Sequence, residues 1–191
     1  MVQHNLDAVS GDPNRVSAYQ TESTLATGKL LAETDPSQID PELLSRVSLQ
    51  LIAIYDSISG GQSTRNVAAE TVAQLARRHS AVLDLVIANA REYARTQHID
   101  DASPYTPNSF DVLASVGQRN ARVISFLEDT VRGDWGIPRW AAIEALCGLN
   151  DPTADRILRG VVQGQYPPRL LDCESDLRVI ETAKWRDSNS L

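Results

Sequence analysis

Apolar residues in this chain recur at steps of three and four, and that rhythm restricts the fold more than any other feature. Along 42–58 the series is Leu43, Val47, Leu51, Ile54 and Ile58; along 64–79 it is Val67, Ala68, Val72, Leu75 and Ala76. Along 80–97 it is Val82, Leu83, Val86, Ile87, Ala90 and Ala94, and along 110–131 it is Val112, Leu113, Val116, Val123, Ile124, Leu127 and Val131. Shorter stripes follow at Ile143, Leu146 and Leu149, at Ile157, Leu158, Val161 and Val162, and at Leu177, Ile180 and Trp185. A helix of 3.6 residues per turn gathers such positions on one face, whereas a half-buried strand needs strict alternation. No segment alternates in that way, so the chain is expected to be all-α.

Turn-forming residues divide these stripes into pieces of helix length. They fall at Gly11-Asp12-Pro13, Thr34-Asp35-Pro36, Gly60-Gly61, Ser103-Pro104, Gly133-Asp134, Asn150-Asp151-Pro152 and Pro167-Pro168. Asp40-Pro41-Glu42 combines an N-cap acid, a proline at the first helical position and an acid in the first turn. Asp151-Pro152 repeats the arrangement, and Ser63 or Thr64 can cap the helix after Gly61. Helices are expected at 14–33, 42–58, 64–79, 80–97, 109–132, 137–149, 153–164 and 169–186. Gly28, with several Ser and Thr, weakens the first of them. The long loop is 98–108. No composition shift cuts the chain, so one domain is expected over 1–191, with 1–13 flexible and 187–191 a frayed tail.

Aromatic residues make up only 5% of the chain, and Ala, Leu, Val and Ile are left to fill the core. That suits thin layers of paired helices better than a β-sandwich. The formal net charge of -7 opposes nucleic-acid phosphates and anionic lipid, so neither is an expected partner. Arg77, Arg78, Arg91 and Arg95 are the only material for a basic groove. Cys147 and Cys173 lack C-x-x-C spacing, and Cys147 sits within an apolar stripe as a small buried hydrophobe. Met1 to Ser10 has neither the basic nor the apolar region of a signal peptide, and apolar runs fall far short of the ~20 residues of a membrane span. A soluble, cytoplasmic protein is expected.

An internal repeat is the most specific signal. Arg65-Asn-Val-Ala-Ala-Glu-Thr-Val-Ala-Gln-Leu aligns without gaps on Arg139-Trp-Ala-Ala-Ile-Glu-Ala-Leu-Cys-Gly-Leu, 74 residues later. Arg65 then matches Arg139, Ala68 matches Ala142, Glu70 matches Glu144, Val72 matches Leu146 and Leu75 matches Leu149. Half of that offset is close to the ~40-residue unit of two-helix repeats. The pattern, with the turn Gly148-Leu149-Asn150-Asp151-Pro152 after it, resembles the second helix of a HEAT (armadillo-type) repeat. The resemblance covers 62–90 and 118–164, is weak before 40 and after 168, and is broken near 102 by the proline-containing loop. It implies a short α-solenoid of helical hairpins with atypical terminal helices.

Little in the chain points to chemistry. His4, His79 and His98 have no metal-ligand spacing, and His79 after Arg77 and Arg78 reads as a helix C-terminus that favours positive charge. Asp100 and Asp101 are a loop pair without a second acidic cluster, and no phosphate-binding or nucleophile motif is present. No catalytic residue, metal or cofactor is therefore expected. In the family this chain resembles, the Arg slot joins polar contacts between units, and the second helices line the concave wall that holds ligands. The resemblance thus implies a scaffold or adaptor that binds another protein through Arg65, Glu70, Arg139 and Glu144. Trp135 and Trp140, flanking Gly136-Ile137-Pro138, join them as rim residues of the type that dominates contact energies. The rival readings are a HEAT-like nucleic-acid binder or DNA glycosylase-like enzyme, and a structural subunit of a larger assembly.

Overall fold

Short side chains that accept hydrogen bonds set several of the helix starts in this computed structural model, which describes residues 18–57, 61–96, 108–133 and 136–166. Among them are eight α-helices and no strand. They are α1 (Ala18–Glu33), α2 (Pro41–Asp56), α3 (Gln62–Arg78), α4 (Ser80–Thr96), α5 (Asn108–Val116), α6 (Ala121–Arg132), α7 (Ile137–Gly148) and α8 (Pro152–Val162). Asp40 caps α2 by accepting from the Glu42 N–H, and Asp151 caps α8 by accepting from the Thr153 N–H, each before a proline in the first turn. Asp35 opens a 3₁₀ turn, Pro36–Gln38, that the sequence reading lacks.

The chain divides into two units, Met1–Val86 and Ile87–Leu191. In the first, α2 packs on α3 and α1 lies against both. Gly28 is what allows this. A Cβ there would stand 2.8 Å from Leu51 Cδ1 and 3.0 Å from Thr71 Cγ2, closer than side chains tolerate. The glycine that weakens α1 as an isolated helix is therefore the point at which α1 meets its neighbours. Val47, Leu51, Tyr55, Ala68, Val72 and Leu75 are almost wholly shielded from water there. Arg78 donates to the Ala32 carbonyl in the last turn of α1, so a cation of α3 closes the negative end of its neighbour.

In the second unit α7 packs against α5, α6 and α8, and α6 also touches α8. Phe110 stacks on Phe126 at 6.3 Å between ring centroids and meets Tyr93 edge-on at 6.4 Å, joining α4, α5 and α6. Asn89 donates to the Ser109 hydroxyl at 2.7 Å. The end of α8 closes with Gly164 at φ 72°, the Gly164 N–H on Val161 O and the Gln165 N–H on Gly160 O. That is the paired bonding of a Schellman stop.

Two local expectations are corrected. The helix expected over 109–132 is two helices, α5 and α6, separated at Gly117–Asn120. A Cβ at Gly117 would lie 2.7 Å from the Leu113 carbonyl oxygen, Arg119 takes φ 61°, and Asn120 accepts from the N–H groups of Arg122 and Val123 to start α6. Neither Ser63 nor Thr64 caps α3. The helix starts at Gln62 after Gly61 with no side-chain cap, which places both residues inside its first turn. The expected helix 169–186 lies outside the described residues, as does the expected loop 98–108 except Asn108, which opens α5.

Candidate functional site

The arginines that head the repeated motif are interior residues. Arg65 is 6% exposed and Arg139 1% exposed, on α3 and α7 respectively. Arg65 Nε donates to the Tyr55 carbonyl at 2.9 Å, and Tyr55 lies in the last turn of α2. The last carbonyls of a helix lack partners within it and carry its partial negative charge, so a guanidinium is a fitting cap. Ala68 and Ala142 are both fully shielded, as are Val72 and Leu146, and Leu75 and Leu149 are shielded to within 1%. The repeat in sequence is thus accompanied by a repeat in burial.

The rest of the expected contact set is distributed over both units. Glu70 is exposed on α3, while Glu144 and Trp140 are half-buried on α7. The Trp140 indole N–H is enclosed with no acceptor among the described residues. Trp135, Cys173, His4, His98, Asp100 and Asp101 lie outside them. Cys147 is half-buried rather than buried as expected.

His79 occupies the expected place with the opposite electrostatics. Its N–H caps α3 on the Leu75 carbonyl at 2.8 Å, and its own carbonyl accepts from Val82 and Leu83 at the start of α4. Burial first, and then the adjacent Arg78, hold its pKa below the ordinary imidazole value, so the neutral ring is favoured. Asp111 is pushed up by desolvation. In the second unit Arg132 binds Glu128 at 2.6 Å and lies 4.9 Å from the Tyr166 ring, whose hydroxyl donates to the same carboxylate at 3.2 Å. The Arg132 bond, chiefly, holds Glu128 below the usual carboxylate range. This cluster ties the chain after α8 to α6.

The arginines that could have formed a basic groove are largely engaged. Arg78 is on the Ala32 carbonyl, Arg91 lies 5.7 Å from the Phe126 ring centroid, and Arg95 pairs with Glu92 at 2.6 Å. Among the described residues no group of three or more His, Cys, Asp or Glu is placed to hold a metal ion. No helix among them is long and apolar enough to cross a membrane.

Among the large apolar side chains left outside, Val162 of α8 was expected in a buried stripe but is 39% exposed, and the others were not singled out by the periodicity. Tyr19 is 67% exposed and Leu30 64% on α1, and Leu49 is 52% exposed on α2. Leu49 belongs to a shallow depression of about 530 Å³ lined by Pro41, Glu42, Ser45, Arg46, Leu49 and Gln50. The signal was present, because Leu49 falls between the Val47 and Leu51 positions of the α2 stripe and so on its outer side. No protein-family model, curated protein or solved structure matches the chain.

Proposed function

We propose that this chain is a non-enzymatic protein-binding module, a short α-solenoid of HEAT-like hairpins that serves as a scaffold or adaptor. The observation that carries the proposal is a closed interior combined with Tyr19, Leu30 and Leu49 left outside it. Large apolar side chains gathered on the outside of a well-packed element mark contact surfaces. The recurrence of the Arg-Ala-Glu-Leu positions, with matching burial at the Arg, Ala and Leu positions, supports the repeat architecture. Arg65 joins α3 to α2 from within and Arg139 is buried on α7. Partner contact falls to Glu70, Trp140 and Glu144 and the apolar residues of α1 and α2, which retain exposure, and to Trp135.

Crosslinking the full chain in a lysate of its host, followed by mass spectrometry, tests this, alongside titration with duplex and single-stranded DNA at low and moderate salt. The expected result is one protein recovered in constant proportion to the chain, with no salt-sensitive DNA complex. Recovery of no protein above background, with DNA binding that falls steeply as salt rises, overturns the proposal in favour of a nucleic-acid binder.

A further inference from the structure

We infer that the outer face of the α1–α2 hairpin is the docking site for an amphipathic helix whose apolar stripe is flanked by Lys and Arg. The inference rests on the protein-binding function proposed above and specifies the partner's chemistry. It begins with geometry. At about 100° per residue, Tyr19, Ala26 and Leu30 fall within a narrow strip of α1, and all three are exposed. On α2 the depression follows Pro41, Ser45 and Leu49, the side opposite Leu44, Val47, Leu51 and Tyr55.

The two strips belong to neighbouring flanks. The Thr24 hydroxyl donates to Gln50 Oε1 at 3.5 Å, and Gln50 lines the depression, so this edge of α1 faces α2. About 80° round the helix from Thr24 is Ala32, whose carbonyl takes Arg78 of α3. Leu30 lies about 120° round the helix from Thr24 and farther from Ala32, which puts it on the outward side toward α2. A helix laid into a groove of this kind is held by apolar residues at steps of three, four and seven.

Charge selects the occupant. Residues 18–57 carry Glu22, Glu33, Asp35, Asp40, Glu42 and Asp56 against Lys29 and Arg46. Apart from half-buried Arg46, all of these side chains are exposed. In contrast, α3 carries Arg65, Arg77 and Arg78 against Glu70, so the acidity is local to the hairpin and not a uniform property of the unit. A second copy of this chain would set the same acids against each other across a two-fold axis. A basic-rimmed helix meets both the apolar strip and its acidic border.

The test uses the isotope-labelled full chain and three short synthetic helices observed by amide NMR. One carries Leu at helical spacing with Lys elsewhere, the second Leu with Glu, and the third Ser with Lys. The Leu/Lys helix is expected to shift amides within 18–57 and to bind at least about tenfold more tightly than either control. Leu30→Ser with Leu49→Ser, both at exposed positions, is expected to weaken it by roughly tenfold while leaving the circular dichroism unchanged.

Equal binding by Ser/Lys, or shifts centred on α3 or the second unit, overturns the inference. So does self-association of the wild-type chain that the double substitution abolishes. If the peptides fail but the double substitution still prevents capture of a lysate partner, the basic-helix identity falls and the binding function stands. Failure of both removes the function as well.

Discussion

Arg65 carries a charge into a site that is only 6% exposed, where an unpaired guanidinium would be strongly destabilising. It is tolerated because α2 ends beside it with carbonyls that need donors, among them that of Tyr55 at 2.9 Å. The residue therefore joins two helices of one unit. Arg65→Met leaves that carbonyl without its charged donor, at a cost of about 2–3 kcal/mol. Glu70→Gln, five residues on and exposed, should change stability by less than about 0.5 kcal/mol. Urea unfolding of the two variants checks the contrast, and equal small effects would mean that Arg65 is not a cap. His79 shows the same principle in reverse. Its position at the end of α3 can be read from the sequence, but the burial that favours its neutral form depends on packing that one helix does not encode.

Helices and their stripes were legible wherever one face had to be buried. The expected core positions Val82, Leu83, Val86 and Ile87 are all buried, as are Ile157, Leu158 and Val161, whereas Val162 at the end of the same stripe is exposed. The break between α5 and α6 was hidden by its own arithmetic. Val116 and Val123 are seven residues apart, close to two full turns, so the stripe continues in phase across the gap and imitates one long helix. Gly117 and Asn120 carried the stop and start signals, and periodicity outweighed them. Asn120→Ala gives a test in which the two alternatives differ in sign. As a cap, Asn120 should cost about 1 kcal/mol to remove, whereas at an interior helical position alanine would be the better helix former and would raise stability by several tenths. Thermal or urea midpoints decide between them. Gly28 was misread for a related reason: propensity registers its cost to an isolated helix, and only tertiary contact reveals why the position is small.

Across the whole molecule, the sequence was a better guide to the interior than to the surface. The self-match headed by Arg65 and Arg139 was found because it falls largely on positions buried in both helices, and recurrence of that kind selects core residues. Contact surfaces need not recur, and Tyr19, Leu30 and Leu49 lie outside every repeated position. They become visible when exposure is known, and the acidity of 18–57 then gives them a partner chemistry. The central claim is that the chain acts through this surface, with the repeated Arg, Ala and Leu residues supporting it from within. Methyl NMR of the full chain with the crosslinked partner, once isolated, tests that claim most directly. The Leu30 and Leu49 methyl resonances should shift on binding while those of buried Leu75 and Leu146 stay in place. A bound partner that leaves both exposed leucines unperturbed would contradict it.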